Sequence, residues 1–360
     1  MRSDDKVHII AEAGVNHNGS VDLALQLVDQ AAEIGADAVK FQTFRAANVV
    51  SQHAPKADYQ TRVTGGESQL EMVRKLELDA KSHDLLRSHC AKRNIQFLST
   101  PFDLESVALL TSLGVPLLKV PSGEITNPLL LRAMAATQLP LIVSTGMSTL
   151  GEVEAALAII AREYLLGQNL DLSPAAAFAS HAGQKVLRER VTLLHCTTEY
   201  PAPIADVNLR AMVTLGAAFG LPIGYSDHTE GIVVPQAAVA LGARVIEKHF
   251  TLDRALPGPD HQASLDPAQF KAMVIGIRQV ELALGRSLKA PSPSEMGNLV
   301  IARRSLVAAK AIRRGEPFTR ENLALKRPGS GISPMRYDEW LGQTADRDYA
   351  PDELIQQGRP

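Results

Sequence analysis

Cysteine is scarce in this chain: 360 residues carry only Cys90 and Cys196. Two are too few for a disulfide framework, and neither stands in a paired metal-binding spacing, so a reducing compartment is expected. Long apolar runs are also missing. No stretch approaches the roughly 20 apolar residues a membrane span needs. The opening "MRSDDKVHIIAEAG" carries acids where a secretory leader would be basic, so the expected location is the cytoplasm. Neither sign of charge is in excess. With 37 Lys and Arg against 39 Asp and Glu, the formal net charge of -2 provides no footprint for nucleic acid or an anionic membrane. Small-molecule or protein partners are expected instead. A GxGxxG fingerprint after the first apolar run is absent, which counts against the open doubly wound sheet. What the chain does have is apolar residues, 45% against 21% charged, enough at this length for a sizeable core.

Eight short β-rich runs are spaced along the first 250 residues: "VHIIAEAG", "AVKFQTF", "IQFLSTPF", "PLLKVPSG", "PLIVSTGM", "VTLLHCTT", "PIGYSDH" and "RVIEKHFT". Between them, segments such as 20–34, 104–113, 150–165 and 266–284 repeat apolar residues every three or four positions, as amphipathic helices do. Eight β-then-α units predict an α/β fold, a (β/α)8 TIM barrel over 1–285, with functional residues just after each strand. "LKAPSPSEMGN" reads as a linker within 286–299, because its prolines and serines break the helical pattern. A small C-terminal domain over 300–360 follows, with alternating polarity and tight turns at Gly315, Pro317, Pro328, Gly329 and Gly331. Two inserts interrupt the rhythm. Residues 45–79 are long and polar, as a substrate-covering loop would be, and 164–190 have no role legible from sequence.

Polar groups collect at the ends of all eight runs: Glu12, Asn16 and His17; Lys40 and Gln42; Ser99 and Thr100; Lys119, Ser122 and Glu124; Ser144 and Thr145; His195, Thr197, Thr198 and Tyr200; Ser226, Asp227 and His228; Glu247 and His249. One buried polar strand end is a satisfied core group; a full ring of them points to an active site. Lys40 and Lys119 sit in otherwise apolar runs and, with the hydroxyls of Thr100, Ser122 and Ser144, suit a phosphate and a carboxylate. "PSGE" before "ITNPLLLRAMA" adds backbone amides near a helix start. A phosphorylated substrate is expected. His228 and His249, from adjacent strands, can ligate a divalent metal, or they are merely hydrogen-bonding core residues. His195 is left out of that pair, because "LLHCT" can bury it. Glu12, Glu124 and Glu247 are acid/base candidates that sequence does not rank, and nearby lysines are expected to depress their pKa. Asp260, in the rigid loop "LPGPDHQASLDP", suits a hydroxylated substrate.

These strings, with "STGMSTLGEVE", "LLHCTTEYPAP", "GYSDHTEGI", "EKHFTLDRALPGPDH" and "KRPGSGISP", resemble in order the sialic acid synthase family, over nearly the whole chain. The resemblance implies a barrel followed by an antifreeze-like (SAF) domain, in a domain-swapped homodimer whose small domain caps the partner's site. It implies Mn2+ or Mg2+ on His228 and His249. Phosphoenolpyruvate would lie among Lys40, Thr100, Lys119, Ser122, Ser144, Thr198 and Ser226, with Thr198 standing where some relatives have Asn. Glu12, Gln42, Tyr200 and Asp260 would face an N-acylated amino sugar, with Arg327 of a second copy at its N-acyl group. Glu124 becomes the leading acid/base, with Glu12 and Lys119 beside it.

The reaction so implied joins phosphoenolpyruvate to N-acetylmannosamine, giving N-acetylneuraminate and phosphate by C–O cleavage. The same chemistry on a 6-deoxy diacetamido hexose, giving legionaminic or pseudaminic acid, is the alternative. Two readings from other classes are a metal-dependent aldolase using free pyruvate, which would need no phosphate pocket, and a noncatalytic carbohydrate-binding protein, whose sugar binding would require neither phosphoenolpyruvate nor metal.

Overall fold

Each of the eight runs becomes a strand in the computed structural model, which describes residues 6–56 and 68–356. The strands are β1 (His8–Gly14), β2 (Ala38–Thr43), β3 (Gln96–Pro101), β4 (Leu118–Val120), β5 (Leu141–Ser144), β6 (Val191–Cys196), β7 (Ile223–Asp227) and β8 (Val245–His249). Helices start where a side chain can satisfy their first amides. Ser20, Asp79, Asp103, Asn127, Thr149 and Asp266 each accept a backbone N–H of the helix they open. The strands pair in parallel in the order β3-β2-β1-β8-β7-β6-β5-β4. Among the described residues no ladder joins β3 to β4, so the barrel is nearly closed, with its seam there.

Side chains alternate along each strand, so every second residue enters the barrel. Ile10, Ala38, Leu98, Ile142, Leu194 and Val245, with Leu117, form an apolar plug inside it. Two residues further along those runs stand Glu12, Lys40, Thr100, Ser144, Cys196, Glu247 and Lys119. The plug is tight enough that Gly224 has no room for a side chain: a Cβ there would lie 2.4 Å from the Val245 carbonyl oxygen and 2.6 Å from a Leu194 methyl. The larger core lies between strands and helices, with Ile9, Val39, Phe41, Val143, Leu157 and Phe270 buried in it.

The chain divides into two compact units, 1–285 and 286–360. Of the 45–79 segment expected to cover substrate, 57–67 lie outside the described residues; the rest carries short helices at Ala46–Val49 and Gln69–Arg74. The 164–190 insert forms two helices, Pro174–Ala179 and His181–Arg190, packed on Leu150–Leu166. The stretch expected as a linker differs from the structure. Residues Pro293–Ala302 form a helix, because Pro293 falls in its first turn, where a missing N–H is harmless, and Ser292 with Glu295 makes a capping box. Beyond it, β9 (Ser305–Ala308) and β10 (Leu323–Lys326) pair antiparallel over a small core of Phe318, Trp340 and Tyr349. No helix among the described residues is long and apolar enough to cross a membrane.

Candidate active site

Four charged side chains meet above the plug. Lys40 Nζ lies 2.6 Å from Glu12 and 3.7 Å from Glu247, while Lys119 Nζ lies 3.1 Å from the other oxygen of Glu247. All four are almost fully buried. The register explains the meeting: Glu12 stands level with Lys40 on β2 and with His249 on β8, and Ser226 with Glu247. Lys40 donates to Thr100 (2.9 Å) and Ser226 to Glu247 (3.0 Å). The Ser144 hydroxyl is buried with no hydrogen-bond partner among the described residues. These groups, with Ser122, Thr198 and Tyr200, line a cavity of 170 Å3.

The two buried carboxyls behave oppositely, although lysines were expected to depress both. Burial raises Glu12 to about 7, because it outweighs the attraction of Lys40, and the charge of Glu247 adds to the rise. Burial acts on Glu247 as well, but Lys119 and Lys40 together overcome it and hold the carboxyl down at about 2. Glu12 therefore shares its proton near neutrality, whereas Glu247 is a fixed anion. The raised value means that the Glu12 contribution to stability is complete below the unfolded value near 4.5 and is lost as pH rises through about 7. A kcat/KM profile that falls through about pH 7, and loses that limb in Glu12→Gln, is expected if the Glu12 proton is used. A limb surviving in the variant would assign it to another group.

His228 and His249 do come together, their ring centroids 5.4 Å apart. The Nδ1 of His228 donates to the Thr197 carbonyl at 2.7 Å; burial lowers this histidine, but Cys196 and that carbonyl outweigh it and raise it above its ordinary value, so Nε2 becomes an acceptor only once its proton is lost. His249 Nδ1 is buried without a hydrogen-bond partner among the described residues. Burial, with the neighbouring His228 charge second, lowers His249 well below the ordinary histidine value. It is therefore neutral, and its 4.0 Å approach to Asp260 is no ion pair. Two imidazole nitrogens, His249 already neutral and His228 once its Nε2 proton is lost on binding, fit a divalent cation that takes its other ligands from water or substrate; no group of three or more candidate ligands exists among the described residues. Tyr200 lies over His228, ring centroids 4.2 Å apart, and edge-on to His249.

Other expected residues take different places. Glu124 lies one residue beyond Gly123, a cavity-lining residue, and accepts from Asn127 at 2.7 Å; it does not itself line the cavity. Asp260 is buried, raised to about 6 by burial. Arg327 belongs to the second unit, where it donates to the Ala302 carbonyl. His195 is turned out of the cluster and donates to the Val207 carbonyl at 2.7 Å. Asn16, Ser99, Thr145 and Asp227 are structural: they bond Phe250, Thr43, Leu194 and the buried Lys248.

Sequence reading passed over Cys196, whose thiol lies 3.5 Å from Ser122 and 3.9 Å from His228 inside the cavity. Its period-two spacing from Leu194 was the available signal. Gly146 closes the same wall: a Cβ there would fall 2.3 Å from Thr198 Oγ1 and 2.7 Å from Ser122 Oγ. A second cavity of 220 Å3 adjoins the first, sharing Gln42, Phe102, Tyr200 and His249 with it, and was not foreseen.

Residues 27–289 match the model of the NeuB family, and residues 303–359 that of the SAF domain. The chain belongs to the NeuB family. It is 53% identical to the N,N'-diacetyllegionaminic acid synthase of Campylobacter jejuni, over 98% of this chain and 99% of that protein. Identity to the pseudaminic acid synthase of Campylobacter jejuni is 36%, over 99% and 98% of the two chains. The crystal structure of the N-acetylneuraminic acid synthetase of Leptospira borgpetersenii, in complex with citrate, superposes with a TM-score of 0.66 at 34% identity, covering 82% of this chain and 91% of that one. As a NeuB protein the chain is a condensing enzyme of the nonulosonic acid synthase type, with the barrel and SAF domain that its motifs imply.

Proposed function

We propose that this NeuB enzyme joins phosphoenolpyruvate to a 6-deoxy diacetamido hexose, forming a diacetylated legionaminic acid and inorganic phosphate. The observation that carries the first substrate is the pair of buried lysines among hydroxyls, which suits a small dianionic or trianionic molecule and has no use for free pyruvate. The choice of sugar rests on identity: 53% to a diacetyllegionaminic acid synthase against 36% and 34% to relatives named for the other two products. That level favours the diacetamido hexose over N-acetylmannosamine, which the sequence analysis put first, and leaves the reaction the same.

In this reading, Lys40 and Lys119 hold the phosphate and carboxylate, with Thr100, Ser122, Ser144, Thr198 and Ser226 donating hydroxyls. C3 of phosphoenolpyruvate attacks the aldehyde carbon of the open-chain sugar, and the oxygen takes a proton that Glu12 is poised to give at neutral pH. Water adds at C2, assisted by a carboxylate; Glu124, beside the cavity-lining Gly123, is the proposed group and must turn from Asn127 to reach it, and the tetrahedral adduct loses phosphate with its C–O bond. His228 and His249 would hold Mn2+ or Mg2+, which would supply Lewis acidity toward the aldehyde oxygen. Gln42, Tyr200 and Asp260 would position the sugar. Arg327 of a second copy at the N-acyl group completes the proposal, supported by the SAF domain match, and a dimer in solution is its first requirement.

Phosphate release is the direct test. Metal-dependent release from phosphoenolpyruvate with the diacetamido sugar, faster than with N-acetylmannosamine and abolished by chelator, is the expected result. Preference for N-acetylmannosamine would make the product N-acetylneuraminate, and no release with any aldose would overturn the condensing reaction itself.

A further inference from the structure

The second cavity has an unusual wall. Val15, Phe44, Met72, Val73, Leu76 and Phe102 supply an apolar side, Gln42, Tyr200 and His249 stand where it meets the catalytic cavity, and Gln69 and Asp260 add polar groups to the rest of the lining. Val15, Phe44 and Leu76 form a buried cluster with Val73 and Phe102 packed on it, the two Phe rings edge to face at 6.2 Å. Local sequence builds this wall. Ser68 and Glu71 cap the helix Gln69–Arg74, which carries Met72 and Val73, with Leu76 one turn beyond Met72. Glu77 then ties the segment down by accepting from the Ala46 amide at 2.8 Å. The segment read from sequence as a polar cover thus turns an apolar face inward.

We infer that this chamber receives the far end of the aldose, its C6 methyl and second acetamido group, and that Met72, Val73 and Leu76 are specificity-determining residues favouring a 6-deoxy sugar. The inference rests on the proposed reaction, in which the aldehyde lies by His228 and His249 and the rest of the sugar extends past Gln42 and Asp260 into the chamber. Burying a methyl against such a wall is favourable, roughly 25 cal/mol for each Å2 of apolar surface. A hydroxymethyl group in the same place gives up hydrogen bonds to water and meets no donor or acceptor on the three side chains. Apolar pockets discriminate modestly against an added hydroxyl, so a preference of about 10- to 100-fold in kcat/KM is expected. An apolar wall selects by what it fails to offer the wrong substrate.

The test compares kcat/KM for a 6-deoxy diacetamido hexose and for N-acetylmannosamine, at saturating phosphoenolpyruvate and Mn2+. Val73→Thr adds a hydroxyl with little change of shape, and Met72→Gln adds an amide of similar length. Each is expected to cut the preference for the 6-deoxy sugar by about 10-fold, with the KM for phosphoenolpyruvate unchanged, and Met72→Leu should keep it. Val73 is only half-buried, so its variant provides a folded protein should Met72→Gln fail to fold. A wild-type preference that stays within about 2-fold in Val73→Thr would overturn the role of the chamber and leave the reaction standing. Failure of the wild type to use the 6-deoxy sugar would instead overturn the reading on which it rests.

Discussion

Glu247→Gln is expected to unfold at lower temperature than the wild type and to lose most of its efficiency with phosphoenolpyruvate. Among the described residues Glu247 is the one carboxylate that touches both lysines: Oε1 lies 3.1 Å from Lys119 and Oε2 3.7 Å from Lys40. The amide keeps the size of the side chain and can still accept from Ser226, so the variant removes charge and little else. Removing one member of a buried pair typically costs about 3 to 5 kcal/mol, because the partner stays buried and uncompensated. Lys119 is already lowered by burial, with Glu247 the main force holding its proton. Without that anion it tends to neutrality and no longer attracts a phosphate. A loss of about 3 kcal/mol in transition-state stabilisation corresponds to roughly 100-fold in kcat/KM. The sign with pH is also determined. Because Glu247 is depressed to about 2, its contribution is present above the unfolded carboxylate value near 4.5 and is lost as pH falls through about 2. Wild-type and variant melting temperatures should therefore converge in acid. Equal stability and equal kinetics at pH 7 would mean that the lysines are held by something other than Glu247.

His228→Ala and His249→Ala should each leave a folded enzyme that releases little phosphate, by roughly 1,000-fold less, since Lewis-acid assistance supplies several kcal/mol. Both side chains border the cavity instead of filling the main core, so neither truncation removes much packing. Binding separates this from a purely structural role. Mn2+ alone is expected to raise the melting temperature of the wild type and not of the variants, by mass action on the folded state. Variants that keep full metal-dependent release would remove both histidines from the proposed ligand set.

The period-two alternation in the eight strands made much of the site readable. In "VIEKH", Glu247 and His249 face inward while Lys248 faces the outer layer and pairs with Asp227 at 2.5 Å. The same rule sorts Thr100 from Ser99 and Ser144 from Thr145, which sequence reading had grouped together. Helix starts were legible because their caps are local. The linker was misread for the converse reason: Pro293 breaks a helix anywhere but in its first turn, and only the capping box shows that it stands there.

Strand periodicity, turn residues and the ordered motifs thus determined the barrel, the second domain and which side chains meet above the plug, since each depends on residues near in sequence. Tertiary structure alone decided the rest. Glu12 and Glu247 have the same chemistry and neighbouring positions, yet one is raised to about 7 and the other held at about 2. The difference comes from how burial balances against two lysines contributed by β2 and β4, which no local pattern encodes. The apolar chamber is assembled from side chains following β1, β2 and β3 and from a helix in a polar segment, so it exists only once those distant pieces pack together.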